Sequence, residues 1–475
     1  MKPVPENHQT YRSRVRNLLH ETFPGGFYFS LSKRDREIYN RILSLDLEFA
    51  DSLMEPRYSF FGAPPRQPSC MFRSLLLSIM MNVISIPDWA GLLKSSPFHA
   101  ILSGFRPGDT PGASTFYDFF DRLWLSDMDN FSPHVRKPHP NVIPPKKKGE
   151  KAEPVGNITA ESLFRFYKEH PASTDQPYAL LFRLFKTGFL DRSVSRGLIN
   201  PRSLSLAGDG TPVYTSARLR CRDAGDGSGL KWYSQPDCDC GWDSSRYCFY
   251  YGYDLYLLTA SDSAHNLPVF PLLDPASMHD SIGFIHAFMA MRAFLPEYKV
   301  SRLLLDSAHD NLATYLFCRE NGITPFIDLN LKGMKTFEQQ GVTFSAVDSR
   351  PICMNGEKMV RDGAEKKRMR IKYRCPYAWS DIHKCPHCDE CCSTNYGKVI
   401  HVASSDNPRF FCIPARDSKE WKETYKARTS SERCNKQFKN DRHLEGGRHR
   451  SSKCWYCRLY LTAMCIHLDA WGNTA

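Results

Sequence analysis

Between residues 202 and 330 the spacing of the apolar residues changes in an order that few topologies accommodate. In RSLSLAGDGTPVYT (202–215), Leu204 and Leu206 alternate with serines, as in a half-buried strand. FYYGYDLYLLTASD (249–262) and NLPVFPLLDP (266–275) follow as two strands joined by a turn through Ser263, and residues 216–248 before them read as irregular. HDSIGFIHAFMAMRAFLP (279–296) has helical spacing, with Asp280 or Ser281 near its start. VSRLLLD (300–306) is a short, nearly continuous apolar run of the buried-strand kind. SAHDNLATYLFCRENG (307–322) reads as a helix closed by Gly322, and TPFIDLN (324–330) as a further strand. The expected unit is α/β: three antiparallel strands, a helix, a strand, a helix and a strand. One carboxylate, Asp209, stands at the end of the first strand, and a second, Asp306, ends the fourth. Gly208 and Gly210 on either side of Asp209 let something approach the backbone closely, although an Asp-Gly hairpin turn has the same local signature.

A third stretch, YKARTSSERCNKQFK (425–439), carries Tyr425, Arg428, Glu432 and Lys439. At about 100° per residue these fall within about 60° of one another on a helix. One face would present a carboxylate flanked by a guanidinium, an ammonium and a phenol. That mixture suits a polyanion whose chemistry needs a metal: the carboxylate holds the ion and the others hold phosphates. A solvated helix face with an i, i+4 pair from Arg428 to Glu432 accounts for the same spacing.

The Y-x2-R-x3-E-x6-K spacing resembles, without a gap, the pattern around the catalytic glutamate in a large group of bacterial insertion-sequence transposases of the DDE type. GDGTP around Asp209 and LLLDSAHDN around Asp306 resemble the two aspartate positions of that family. The motifs cover residues 202–330 and 425–450, and the strand and helix order is that of the ribonuclease-H-like fold. The resemblance implies an N-terminal helical domain (1–130) that binds DNA ends or helps the protein dimerise, then a linker and helices (131–200). It implies a ribonuclease-H-like catalytic core in two parts, 201–330 and 425–475, interrupted by a largely β, cysteine-containing insertion at 331–424. The implied activity is metal-dependent cut-and-paste: strand cleavage and strand transfer of the protein's own insertion sequence. The implied partners are double-stranded DNA, as terminal inverted repeats and as target, and a second copy of the chain on paired ends. A bacterial cytoplasmic, nucleoid-associated location goes with it. Such proteins often break the flanking strand through a hairpin and stack a flipped base on a tryptophan of the insertion, for which Trp379 and Trp421 are candidates. Two alternatives stay open. One is a nuclease of the same fold that cuts without joining. The other is a non-catalytic DNA-binding protein derived from a transposase, which would be expected to have lost a carboxylate, whereas all three are present.

The chemistry of these residue types agrees with the implied roles. Asp209, Asp306 and Glu432 offer the hard oxygen ligands that Mg2+ or Mn2+ takes, and a pair of ions about 4 Å apart relieves the repulsion among three carboxylates. Water would be the nucleophile for cleavage and a DNA 3′-hydroxyl for joining. Arg428 could contact phosphate bidentately, Lys439 as a point charge and Tyr425 through its hydroxyl, adding affinity but little sequence specificity.

The rest of the chain constrains less. A net charge of +12 and a pI near 8.9 permit an anionic partner without demanding one. The first twenty residues lack the apolar core of a signal peptide, and LLLSIMMNVISI (75–86) is too short to span a bilayer and reads as a buried helix. A soluble intracellular protein is therefore expected, its 17 cysteines serving as free thiols or metal ligands. REIYNRILSLDLEFADSL (36–53) has helical spacing, and residues 69–124 read as a compact helical unit, broken near Pro87, in which Ser114 caps a helix bearing Phe116, Phe119, Phe120 and Leu123 on one face. Residues 133–156 read as a Pro- and Lys-rich linker, and 157–199 as helical again. In the insertion, CPYAWSDIHKCPHCDECC brings together Cys375, Cys385, Cys388 and Cys391, a set that could hold zinc or remain as reduced thiols. Cys454 and Cys457 sit in an apolar C-terminal helix and read as core. The basic segment 439–450 could extend a DNA track or be a solvated loop.

Overall fold

A computed structural model describes residues 2–131, 158–223, 231–365, 367–392 and 394–472, so the linker read at 133–156 lies outside the described residues. The chain is a mixed α/β protein built around a mixed sheet. Its strands are β1 (Leu204–Tyr214), β2 (Asp239–Asp243), β3 (Cys248–Ala260), β4 (Pro268–Pro275), β5 (Val300–Leu305) and β6 (Thr324–Ile327). The path across the sheet is β4-β3-β1-β5-β6, and the first half of β3 pairs with β2. β3 runs antiparallel to β1, β2 and β4, whereas β1, β5 and β6 are parallel. Parallel neighbours need crossovers, supplied here by α1 (Asp280–Phe294) before β5 and α2 (Leu312–Glu320) before β6.

Register sets the site. Ala207 of β1 pairs with Leu304 of β5, so Asp209 and Asp306 each stand two residues beyond that pair. Leu206, Leu303 and Leu305 are fully buried, as the continuous apolar run predicted.

The sheet shares one continuous buried core with the N-terminal helices and the C-terminal helix. Every residue of helix Pro68–Met80 is buried, including Arg73, whose guanidinium lies 3.5 Å from the Tyr11 ring centroid. That helix packs on the C-terminal helix, Ser452–Gly472, which is itself buried over most of its length. Cys457 is fully buried there and Cys454 partly, in line with the core reading. The buried His467 is paired at both ring nitrogens, with Ser193 Oγ (2.7 Å) and the Pro268 carbonyl (2.9 Å). Among the described residues, no helix is long and apolar enough to cross a membrane.

Within 331–424 five short strands form, Thr336–Gln339, Val342–Ser345, Val360–Glu365, Arg370–Arg374 and Val399–Ala403. They enclose a second buried cluster around Phe344, Tyr373, Phe410 and Phe411. Two arginines fasten this region to the sheet unit: Arg409 pairs with Asp310 at 2.8 Å, and Arg416 donates to Tyr315 Oη (2.8 Å) and the Ile327 carbonyl (3.0 Å).

Several local expectations are corrected. Residues 36–53 form two helices, Lys33–Ser44 and Glu48–Met54, because Leu45 and Leu47 turn inward and Asp46, one residue before the cap position Leu47, accepts the Glu48 N–H. The run at 75–86 ends its helix at Met80, short of the single buried helix expected, whereas the break expected near Pro87 is present, Pro87 standing in the first turn of helix Ile86–Ser95. Gly112, not Ser114, occupies the cap position before helix Ala113–Leu123. Residues 216–248 hold β2 and a two-stranded ribbon, Leu219–Asp223 with Lys231–Tyr233. Residues 307–322 are not one helix: Asp306 caps a single 3-10 turn and Asn311 then caps α2.

Candidate active site

Asp209 lies in the middle of β1, not at its end, and this removes the hairpin-turn alternative. The flanking glycines answer to packing on the other face of the strand. A Cβ at Gly208 would come within 2.6 Å of Tyr256 Oη and 2.9 Å of Leu305 Cδ2. One at Gly210 would come within 2.7 Å of Asp280 Oδ1 and 2.9 Å of Asp254 Oδ2. Asp209 alternates to the opposite face, where its Oδ2 accepts from Asn435 Nδ2 at 2.8 Å. Burial, and then the Asp306 charge, push the Asp209 carboxyl up to about 7; the Arg428 guanidinium opposes them.

Asp306 follows β5 and has the opposite balance. Burial pushes its carboxyl up, but hydrogen bonds from His309 (2.7 Å) and the Ala308 N–H (3.0 Å), both to Oδ1, outweigh it and hold the group below its ordinary range. Two aspartates on neighbouring parallel strands thus sense each other, one disposed to hold a proton and the other ionised.

The helical run that follows the insertion crosses over these strands. It begins with a helix at Lys419–Tyr425, tightens to a 3-10 turn at Lys426–Arg428, continues as α3 (Thr429–Lys436) and widens to a π turn at Gln437–Asp441. The uniform helix expected over 425–439 is therefore corrected, and the four signature residues take separate positions along the sheet. Tyr425 donates to the Leu305 carbonyl (3.2 Å), directly before Asp306, and stacks on Trp421. Lys439 donates to the Pro212 carbonyl (2.6 Å), three residues after Asp209, and lies 3.4 Å from Glu445. Both are engaged with the protein's own backbone, so they bolt the run to the two strands. Glu432 is half exposed and ion-paired with Arg428. The Arg428 charge is also felt by Asp209 and Asp306, where it favours the ionised carboxylates.

Among the described residues, no three His, Cys, Asp or Glu side chains gather closely enough to hold a metal ion. Asp209 and Asp306 nevertheless fit a divalent cation: they are hard oxygen donors, and burial together with the Asp306 charge raises Asp209 to about 7, a cost that a bound cation would relieve. Glu432 would have to leave Arg428 to join them.

Sequence reasoning missed several neighbours. Asn435 holds Asp209, His309 holds Asp306, and the buried carboxylate Asp254 packs beside Asp280 under Gly210 with its Oδ2 unpaired. Burial, and then the Asp280 and Asp274 charges, raise Asp254 well above the carboxylate range. Only His309 had a local signal, three residues after Asp306 in SAHDN.

The cysteines of the insertion line one cavity of about 280 Å³, Cys375, Cys385, Cys388 and Cys391 together with Cys392 and His387. Trp379 is exposed beside Arg374, whereas Trp421 is buried against Phe326 and Tyr425, which removes it as a base-stacking candidate. In 439–450, Lys439 and Arg442 are spent inside the protein, Arg442 on Asp469, which weakens that segment as a DNA track. No family model and no curated protein matches the chain.

Proposed function

We propose that the chain is a DDE-type DNA transposase that cleaves the ends of its own element and joins them to target DNA. The observation that carries the reading is the pair Asp209 and Asp306, two residues beyond a matched pair on neighbouring parallel strands. They belong to a mixed sheet whose path β4-β3-β1-β5-β6 has β3 alone running against the rest, which supports reading it as a ribonuclease-H-like core. On this reading residues 201–330 and 425–475 form that core, 331–424 the insertion and 1–130 the domain that binds DNA ends or mediates dimerisation.

Asp209, Asp306 and Glu432 would hold Mg2+ or Mn2+, which when bound supplies the Lewis acidity for phosphoryl transfer. Arg428, released as Glu432 turns to the aspartates, would be free to clamp a DNA phosphate. Asn435 and His309 keep the two aspartates aimed. Tyr425 and Lys439 hold the helical run at its distance from the strands, and a DNA contact from either would require it to leave its carbonyl partner. No protein nucleophile is needed: water cleaves and a DNA 3′-hydroxyl joins. The partners are double-stranded DNA and a second copy of the chain on paired ends, inside a bacterial cell.

The test is cleavage of linear DNA carrying the gene's own flanks, with Mg2+ or Mn2+, against EDTA and Asp306→Ala. Metal-dependent cuts at the element ends, absent in the variant, are expected. Cuts that persist in EDTA or in the variant overturn the reading. A strand-transfer reaction with pre-cut ends separates a transposase from a nuclease that only cuts.

A further inference from the structure

Asp306 is held by a buried relay that starts on the far side of the sheet. His309 is fully buried, with its Nδ1 2.7 Å from Asp306 Oδ1 and its Nε2 2.8 Å from the hydroxyl of Tyr256, itself fully buried on β3. An ionised carboxylate only accepts, so Nδ1 carries the proton and donates it to Oδ1. In the neutral imidazole Nε2 is then the acceptor, and the phenol, which can donate, faces it. Tyr256 thereby selects the tautomer that His309 presents to Asp306. The rings of Phe284 and Tyr256 pack edge-on against the imidazole, with centroids 5.8 Å away in each case, and leave it little freedom to turn.

Two details separate this from a histidine that merely fills the core. The Ala308 N–H also donates to Oδ1, at 3.0 Å, so both hydrogen bonds fall on one oxygen and Oδ2 accepts none from the described residues. Gly208, directly before Asp209, has no room for a Cβ because the Tyr256 hydroxyl lies 2.6 Å from where that atom would stand. One relay therefore bears on the carboxylate of Asp306 and on the backbone that carries Asp209.

We propose that His309 is a positioning residue for divalent-cation binding: by saturating Oδ1 it orients Asp306 with Oδ2 available to the ion, and Tyr256 keeps His309 in the donating tautomer. The proposal rests on the reading of Asp306 as a metal ligand. Outer hydrogen-bond partners of metal-binding carboxylates contribute about 10–100-fold to affinity.

The test is Mn2+ binding to the full chain without DNA, followed by the loss of the free-ion electron paramagnetic resonance signal, with cleavage against Mn2+ concentration as a second readout. Asp306→Ala is the ligand-loss reference. His309→Ala is expected to bind Mn2+ about tenfold or more weakly and to need correspondingly more Mn2+ for half-maximal cleavage, with the plateau rate largely kept. His309→Asn, whose amide N–H can reach Oδ1, is expected to recover most of the affinity. Tyr256→Phe is expected to lose a few-fold, less than His309→Ala. Wild-type affinity in His309→Ala overturns the proposal, as does equal weakening in the Ala and Asn variants with no rescue. If His309→Ala does not fold, as judged by circular dichroism, Tyr256→Phe decides: unchanged Mn2+ binding sinks the relay. Equal Mn2+ binding by wild type and Asp306→Ala instead removes Asp306 as a ligand, a different result that points at the functional reading itself.

Discussion

Asp209 and Asp306 sit on paired strands of a six-stranded sheet, whereas Cys375, Cys385, Cys388 and Cys391 sit among two 3-10 turns and a four-residue helix. At the aspartates every position follows from register: a ladder of backbone hydrogen bonds places the two carboxylates side by side, and Asn435 and His309 then aim them. Cys375 continues the ladder of Arg370–Arg374 through its N–H to the Lys398 carbonyl (2.9 Å), but Cys385, Cys388 and Cys391 lie outside the strands. The buried apolar contribution between 376 and 397 is Ile382 beside the thiols of Cys385 and, just outside, Cys375. The sheet can hold repelling charges together because its scaffold is built elsewhere. The cysteine cavity is lined on strands only by Val342, Thr343 and Ile400, and three of its four thiols stand on a turn and a four-residue helix. Geometry imposed by backbone pairing needs no ligand to form; geometry left to side chains does.

The largest effect should fall on the sheet side. Asp209→Ala and Asp306→Ala are each expected to lower cleavage by about a thousandfold or more, about 4 kcal/mol of transition-state stabilisation, with DNA binding little changed. Glu432→Gln is the informative member of the series, because this glutamate is ion-paired with Arg428 and not gathered with the aspartates. Loss of cleavage equal to the aspartate variants, measured on labelled end fragments, is expected. Retained cleavage would reduce Glu432 to a partner for Arg428.

Next comes the packing that keeps the ladder flat. Gly210→Ala would drive a methyl into the carboxylates of Asp280 and Asp254, and Gly208→Ala into Tyr256 and Leu305. Each is expected to destabilise the sheet unit by about 1–3 kcal/mol in urea unfolding. Wild-type stability in both would mean that this face is looser than its contacts imply.

Acid probes the same unit through His467, buried against Ser193 and Pro268, where burial lowers its pKa to about 4. The unfolded chain binds a proton near the ordinary value of about 6.5, so between these two values the unfolded state holds more protons. Stability from this group is fully present above about pH 6.5 and is lost as pH falls toward about 4, by up to about 3 kcal/mol. The difference between wild type and His467→Gln in urea midpoints at pH 7.5 and pH 5 should shrink on acidification. A difference independent of pH would show that His467 takes up its proton equally in the folded and unfolded chains, and a difference that grows on acidification that it is charged in the folded state.

The same contrast explains what could be read beforehand. The strands at 249–262 and 266–275 and the helix at 279–296 were legible within a few residues because period and β-branched or aromatic content agree there. β2, DCGWD, was not: its Asp and Gly residues have low strand preference, and pairing with β3 overrides it. Asp209 was placed at a strand end for a related reason. Glycines look like punctuation in sequence, but here they mark where α1 and β3 press on a continuous strand. The 3-10 and π turns that move Tyr425 and Lys439 off a common helical face leave no local trace, since they arise from docking the run on Leu305 and Pro212. Asn435 and Asp254 were invisible for want of any period linking them to the aspartates.

The smallest effect belongs to the cysteine cavity, and it separates the two regions most directly. The four thiols could be drawn together by zinc, which takes cysteine sulfur tetrahedrally and would supply the order that backbone pairing does not. Protein purified without chelator is expected to carry about one zinc per chain by elemental analysis, lost in Cys385→Ser. Removing the ion should speed proteolysis between 375 and 397 while leaving the unfolding of the sheet unit nearly unchanged, because the buried clusters of the two regions are distinct. Absence of zinc in the wild type would leave a ring of reduced thiols around an empty cavity. Loss of sheet stability on chelation would mean that Arg409 and Arg416 couple the two regions more tightly than two clasps suggest.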